Sequence, residues 1–304
     1  MTKNVLISGN DWLVEAILQH NIIQDQELNL IWYQKETEFP RLVHELLAAA
    51  TLAKNLNLTA TNTPDWASID LILVGNQAGE QAELSSDERL HAEIHWTQII
   101  VNQAMANNFA GKICFLTRFS EPQVFAALHF SGLPENAIFG IGTLPLALVA
   151  EQLLANTLKI DVRQIHVSVL GTLLDPIPAW SRGLVAGTPL LSLVAQENSI
   201  FSQDKLLEIE KILKESTPKS LLPAILASID KIFTALFSPF AQILPLTHQV
   251  LLGKQKIAVS EPVLLSNQGV SKLPSFTLSE QEKQDLARIK VAVLTQIENL
   301  TGGN

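Results

Sequence analysis

The chain has 304 residues, 47% apolar and only 17% charged, against roughly 25% charged in an average soluble protein, which excludes a disordered chain and leaves length for two ordinary domains. Lys plus Arg is 21 and Asp plus Glu is 30, a net charge of -9, so a nucleic-acid backbone or an anionic membrane is repelled on average. The single cysteine, Cys114 in the apolar run KICFL, excludes an internal disulfide and a multi-cysteine metal site and reads as a buried, inert thiol.

Along the chain, short apolar runs alternate with longer segments of helical periodicity, the pattern of a parallel sheet with crossover helices. The opening MTKNVLISGNDW reaches Asp11 before an apolar signal core can build up, so no signal peptide is expected and a cytoplasmic location follows. Strands are expected at residues 4–9 (NVLISG), 28–34 (LNLIWYQ), 69–75 (IDLILVG), 112–117 (KICFLT) and 137–142 (AIFGIG), with a weaker one at 58–61. Helices are expected at 12–20, 40–55, 85–108 and 121–129, the second with Pro40 in its first turn.

After residue 142 the pattern changes. A strand is expected at 165–171 (IHVSVLG), helices near 202–215 and 218–237, a hairpin over 244–265, and a last helix from 279 to about 300. Ser279 with Glu282 makes a capping box for that helix, and the tail Thr301, Gly302, Gly303, Asn304 ends it. The uncharged stretch 232–253 is long enough to span a bilayer, but Pro239, Pro245, His248 and other polar residues interrupt it, so it reads as a helix end followed by a strand. The expected domains are residues 1–142 and 143–304.

Several short strings fall in one order: FSGLP from Phe130, GIGT from Gly140, RQIHVSVLG from Arg163, PAWS from Pro178, GTPL from Gly187, ILPL from Ile243, SEPVLLSNQGV from Ser260 and LSEQEKQDL from Leu278. Through them the chain resembles the lactate/malate dehydrogenases over nearly its whole length. The resemblance implies an α/β fold, with a Rossmann-like doubly wound parallel sheet followed by an α+β C-terminal domain. It also implies NAD as cofactor, a 2-hydroxyacid as substrate, and a homo-oligomer, dimer or tetramer.

The chemical positions of that family are replaced here. Its GxGxxG phosphate loop lets the backbone approach a diphosphate at a helix N-terminus, and the matching positions are Ser8, Asn10 and Leu13, with Gly9 out of register, Asp11 adding negative charge and Trp12 adding bulk. Trp32 stands where the family places its ribose-binding acid. Any cofactor contact therefore falls to Gly9, Asn10, Asp11 and Trp32, and weak or absent NAD binding is expected. Leu173 takes the place of the catalytic histidine, and Leu146 and Val149 those of the orienting aspartate and the substrate arginine. None of the three can move a proton or clamp a carboxylate. Arg118 replaces a pocket asparagine, Pro223 a threonine, and Ser86 aligns with a loop arginine, with Arg89 one turn on. The loop 76–85 matches neither substrate type of the family.

The pocket candidates that remain are Arg118, Arg182, Asp175 and Arg89. Two guanidiniums, Arg118 and Arg182, suit a small organic anion, while solvent-facing or salt-bridged arginines are the plainer alternative. Asp175 reads as a turn or loop-cap residue before Pro176, and His166 as a packed structural histidine on its strand. Glu88, His91 and His95 share one helix face but lack the zincin order and read as exposed surface, and no metal is expected. Glu208 and Glu210 read as solvated. Three functional readings follow: a non-catalytic relative, or pseudoenzyme, that binds a small organic anion; an NAD-dependent 2-hydroxyacid dehydrogenase using replacement residues such as Arg89, Arg118 and His166; or a regulatory or assembly partner of another dehydrogenase subunit.

Overall fold

A computed structural model of the chain describes residues 2–35, 41–76, 85–196, 202–273 and 276–302. Pro40 and residues 77–84 of the 76–85 loop, like Gly303 and Asn304, lie outside the described residues. The chain forms two compact units, Met1–Gly140 and Ile141–Asn304.

The first unit runs β1 (Lys3–Ser8), α1 (Trp12–Gln24), β2 (Leu28–Tyr33), α2 (Arg41–Ala50), β3 (Asn57–Thr61), β4 (Leu71–Val74), α3 (Ser86–Ala106), β5 (Lys112–Phe115), α4 (Ser120–Ser131) and β6 (Ile138–Gly140). All its strand pairs are parallel, in the order β3-β2-β1-β4-β5-β6, which is the doubly wound arrangement. LILV of β4 is buried at every position because helices cover both faces of such a sheet. Cys114 is fully buried on β5, and burial pushes its thiol far above the ordinary range, so it is inert. The helix starts are local. Asp11 caps α1 through the Val14 N–H, and Ser85 with Glu88 forms a capping box on α3.

The second unit continues with α5 (Leu144–Leu158), β7 (Ile165–His166), β8 (Val169–Gly171), β9 (Pro176–Pro178), β10 (Leu184–Val185), β11 (Thr188–Pro189), α6 (Leu190–Val194), α7 (Gln203–Lys214), α8 (Leu222–Phe237), β12 (Gln242–Leu252), β13 (Gln255–Ser266), β14 (Gly269–Lys272) and α9 (Glu280–Thr301). The long hairpin β12/β13 turns at Gly253, whose φ of 61° is left-handed. β14 and β8 add antiparallel to β13, and α9 packs across it. Ser279 and Glu282 form the expected capping box on α9. Among the described residues no helix is long and apolar enough to cross a membrane; α8 ends at Phe237 and β12 follows, as the pattern of 232–253 implied.

The strand read at 165–171 is broken into β7 and β8. The Val167 N–H donates to Oε1 of Glu151 on α5 (3.1 Å), and the Ser168 carbonyl accepts from Ala179, so neither group joins a regular ladder. His166, expected in the core, is exposed: it stands on β7, the edge strand of a small three-stranded sheet, with its side chain to solvent.

Candidate functional site

At the C-terminal edge of the first sheet, a parallel α/β fold presents ligand-binding loops. Here the loop after β1 is closed by the chain's own side chains. The Asp11 carboxylate is only 5% exposed. Its Oδ1 accepts from the Val14 N–H at 3.1 Å and its Oδ2 from the Asn76 side-chain amide at 2.6 Å. The indole N–H of Trp32, 4% exposed, donates to the Gly9 carbonyl at 3.2 Å, and the Gln34 amide donates to Oδ1 of Asn10. Gly9 has φ 126°, and a Cβ there would lie 2.8 Å from the Asn76 carbonyl oxygen, so the glycine serves close approach to the end of β4. A dinucleotide needs the N-terminal donors of α1 for its diphosphate and an acceptor near Trp32 for its ribose. One role is filled by an internal carboxylate and the other by an indole, so the residues present do not fit NAD.

At the end of β5, Thr117 accepts from the Phe119 N–H (3.1 Å) and donates to Oε1 of Gln123. The Gln123 amide donates to Thr97 (3.2 Å), whose hydroxyl donates to the Glu93 carbonyl (2.8 Å). This buried chain of hydrogen bonds ties the β5 end to α3 and α4 and so fixes where Arg118 starts. Nη2 of Arg118 donates to Oγ of Ser86 (3.0 Å), its guanidinium carbon lies 4.7 Å from the Phe119 ring centroid, and its Nε is buried with no hydrogen-bond partner among the described residues. Burial, and then the charge of Arg89, hold Arg118 below its ordinary value. The fold thus brings together two of the four pocket candidates, Arg118 and Arg89, as like charges, one with an unused donor. Such a pair gains from an anion.

The other two candidates belong to the second unit and serve other partners. Asp175 accepts from Arg288 Nη1 at 2.8 Å, while its backbone N–H and carbonyl close a turn with Thr172. The turn reading of Asp175 holds, and its charge is matched by an arginine 113 residues away. The pair lines a cleft of about 430 Å³, in which Glu210, read as solvated, accepts from the Trp180 indole at 2.7 Å. Arg182 is exposed, with its guanidinium carbon 5.9 Å from the Phe276 ring centroid. Neither Asp175 nor Arg288 was legible as one of a pair, because nothing local in the sequence relates β9 to α9.

The three aliphatic positions are also in the second unit. Leu146 and Val149 lie three apart on one face of α5, which packs on β8; Leu146 is fully buried, and Val149 and Leu173 are half-buried. Pro223 sits in the first turn of α8, where a missing N–H costs nothing. His91 and His95 are exposed on α3, Glu88 is engaged by Ser85, and among the described residues no three His, Cys, Asp or Glu groups could hold a metal ion.

No family model matches the chain. Its sequence is similar to L-lactate dehydrogenase 1 of Listeria monocytogenes, 25% identical over 274 residues that cover 88% of this chain and 86% of the relative. Its structure is similar to that of a lactate dehydrogenase from a Medee basin deep-sea metagenome library, with a TM-score of 0.88, 17% identity and 99% of each chain covered. It is also similar to the Cryptosporidium parvum lactate dehydrogenase complexed with lactic acid and NAD, with a TM-score of 0.84, 17% identity, and 100% and 99% of the two chains covered.

Proposed function

Because this chain is a lactate/malate dehydrogenase-like protein by its relatives and its fold, we propose that it keeps that scaffold without hydride transfer and binds a small organic anion at Arg118 and Arg89. The observation that carries the first half is the aliphatic set Leu146, Val149 and Leu173. Ketone reduction needs a proton donor and a carboxylate clamp, and hydrocarbon side chains supply neither at any pH. The second half rests on the unused Arg118 Nε beside a second guanidinium. Arg182 and Asp175 drop out of the anion site because Phe276 and Arg288 engage them. A homo-oligomeric scaffold, dimer or tetramer, belongs to the same proposal and is read by light scattering.

The test uses the purified full chain. With NADH and either pyruvate or oxaloacetate, the expected rate equals the buffer rate. In thermal melts over a series of carboxylates, sulfate and phosphate, at least one anion raises the melting temperature, and Arg118→Ala removes most of that rise. Equal shifts in both proteins would overturn the anion site. Clear turnover would replace the reading with its rival, which the relatives favour: an NAD-dependent 2-hydroxyacid dehydrogenase with substitute residues. Loss of that turnover in Arg118→Ala or His166→Ala would then name them.

A further inference from the structure

The second unit holds another cavity, of about 410 Å³, between the β12/β13/β14 face and α9. Its floor follows from strand register. His248 and Val250 alternate on β12, Leu246 stands opposite Glu261, and Val263 stands opposite Lys272 of β14. Opposed and every-second residues share a face, so His248, Glu261 and Lys272 point to the same side of the sheet. From the covering helix, Leu286 and Lys290, four apart, complete the wall, and Phe276 supplies an aromatic side.

The polar groups there are few and distinct. His248 is 5% exposed, and its Nδ1 lies 3.2 Å from the Leu246 carbonyl. A carbonyl oxygen only accepts, so Nδ1 carries the proton and Nε2 is the lone-pair acceptor. Burial is the largest influence on this imidazole and keeps it neutral. The Leu246 hydrogen bond and Glu261 oppose that effect, and Lys272 and Lys290 reinforce it. Lys290 pairs with Glu261 at 2.6 Å, whereas Lys272 has no carboxylate partner among the described residues. Arg182 lies over the Phe276 ring. The cavity thus offers a lysine with no carboxylate partner among the described residues, apolar walls, and a neutral acceptor. His248 stands opposite Val259 and Lys272 opposite Val263, four residues further along the intervening β13, so their backbones lie about 16 Å apart and their side chains reach toward each other across the cavity from its two ends.

We propose that this cavity is a binding site for an apolar monocarboxylate with a hydroxyl at its far end, a phenolic carboxylate being the simplest member of the class. The carboxylate meets Lys272, the ring lies among Phe276, Leu286 and Val250, and the hydroxyl donates to Nε2 of His248. The site lies within the second unit and involves neither Arg118 nor Arg89, so it stands or falls separately from the proposed function.

Isothermal titration of the full chain with para-hydroxyphenylacetate tests it. Phenylacetate lacks the hydroxyl and para-hydroxyphenylethanol lacks the carboxylate, and both are expected to bind at least about tenfold more weakly, the cost of one charge-assisted or buried hydrogen bond. Lys272→Gln, at an exposed position, should weaken the parent probe by a similar factor and leave para-hydroxyphenylethanol unchanged. His248→Gln should erase the preference for the hydroxylated probe. If that buried variant does not fold, the Lys272→Gln result and the probe series decide alone. Binding that is lost in Arg118→Ala but kept in Lys272→Gln belongs to the Arg118 site and overturns the proposal. No binding of para-hydroxyphenylacetate at millimolar concentration, or binding indifferent to Lys272→Gln, overturns the proposal.

Discussion

Around the β1–α1 loop of the first unit, polar groups answer one another: Asp11 takes the Val14 N–H and the Asn76 amide, Trp32 takes the Gly9 carbonyl, and Gln34 takes Asn10. On the β12/β13 face of the second unit they do not: Lys272 has no carboxylate partner among the described residues, and His248 lines a cavity of about 410 Å³. A doubly wound fold leads one to expect the ligand at the first place, at the carboxyl ends of the strands. The comparison teaches that a binding site is a debt of unsatisfied groups. Side chains from the same chain can settle that debt in one region while a new one opens elsewhere.

The comparison can be pressed hardest at α5. Leu146, which the resemblance sets at the position of an aspartate, is fully buried in the core. Leu146→Asp is expected to cost about 3–5 kcal/mol, the range for an uncompensated buried charge, read as the loss of unfolding free energy in urea. A loss below 1 kcal/mol would mean that a polar pocket persists there.

A second test sits on the same helix. Burial pushes the Glu151 carboxyl up from 4.5 to about 7, and the Val167 N–H and Lys231 only partly oppose it. For an acid whose folded value is raised, the fold favours the neutral form. Stability is therefore greatest below pH 4.5, falls as pH rises toward 7, and stays reduced above it. Glu151→Gln keeps an oxygen for the Val167 N–H and removes the charge. It is expected to gain roughly 2–3 kcal/mol over the parent at pH 8 and nothing at pH 4, as measured by urea unfolding at both values. Parallel pH profiles for the two proteins would refute this.

The smallest effect concerns the closed crevice. Asp11→Ala removes an N-cap, worth about 1 kcal/mol, and frees the donors of α1. The variant's melting temperature should fall by a few degrees and then respond to pyrophosphate, which the parent should ignore. If both proteins respond equally, the internal carboxylate is not what closes the site.

What the sequence made legible follows the range of the interactions. Ser279 with Glu282, and Asp11 before α1, are local caps, and the capping box was read directly. The buried strands of the first unit announced themselves through short apolar runs. The break in the 165–171 strand did not, because it depends on Glu151 reaching Val167 across 16 positions. The solvent-facing position of His166 follows from the same break. Arg288 with Asp175, Asn76 with Asp11, and Trp32 with Gly9 are likewise long-range pairs that no spacing rule encodes. Arg118 was singled out by family position and Arg89 as lying one turn beyond Ser86, but their mutual repulsion and the buried Nε are properties of the fold. The cavity at His248 depends on the registers of β12, β13 and β14 together. The hairpin over 244–265 was visible, but its registers and the covering helix were not placed by it.

Asp11 also changes how this protein can respond to its surroundings. A carboxylate carried on the residue next to the helix it caps is present at an effective concentration that no dilution lowers. A soluble phosphate ester must displace this tethered competitor, strip the Asn76 amide of its acceptor, and bear the loss of its own freedom on binding. If the proposed loss of dinucleotide binding holds, the stability of the β1–α1 region is uncoupled from nucleotide supply. A dehydrogenase that relies on bound cofactor softens when that pool falls, whereas this chain should hold one melting temperature across the whole range of dinucleotide concentrations.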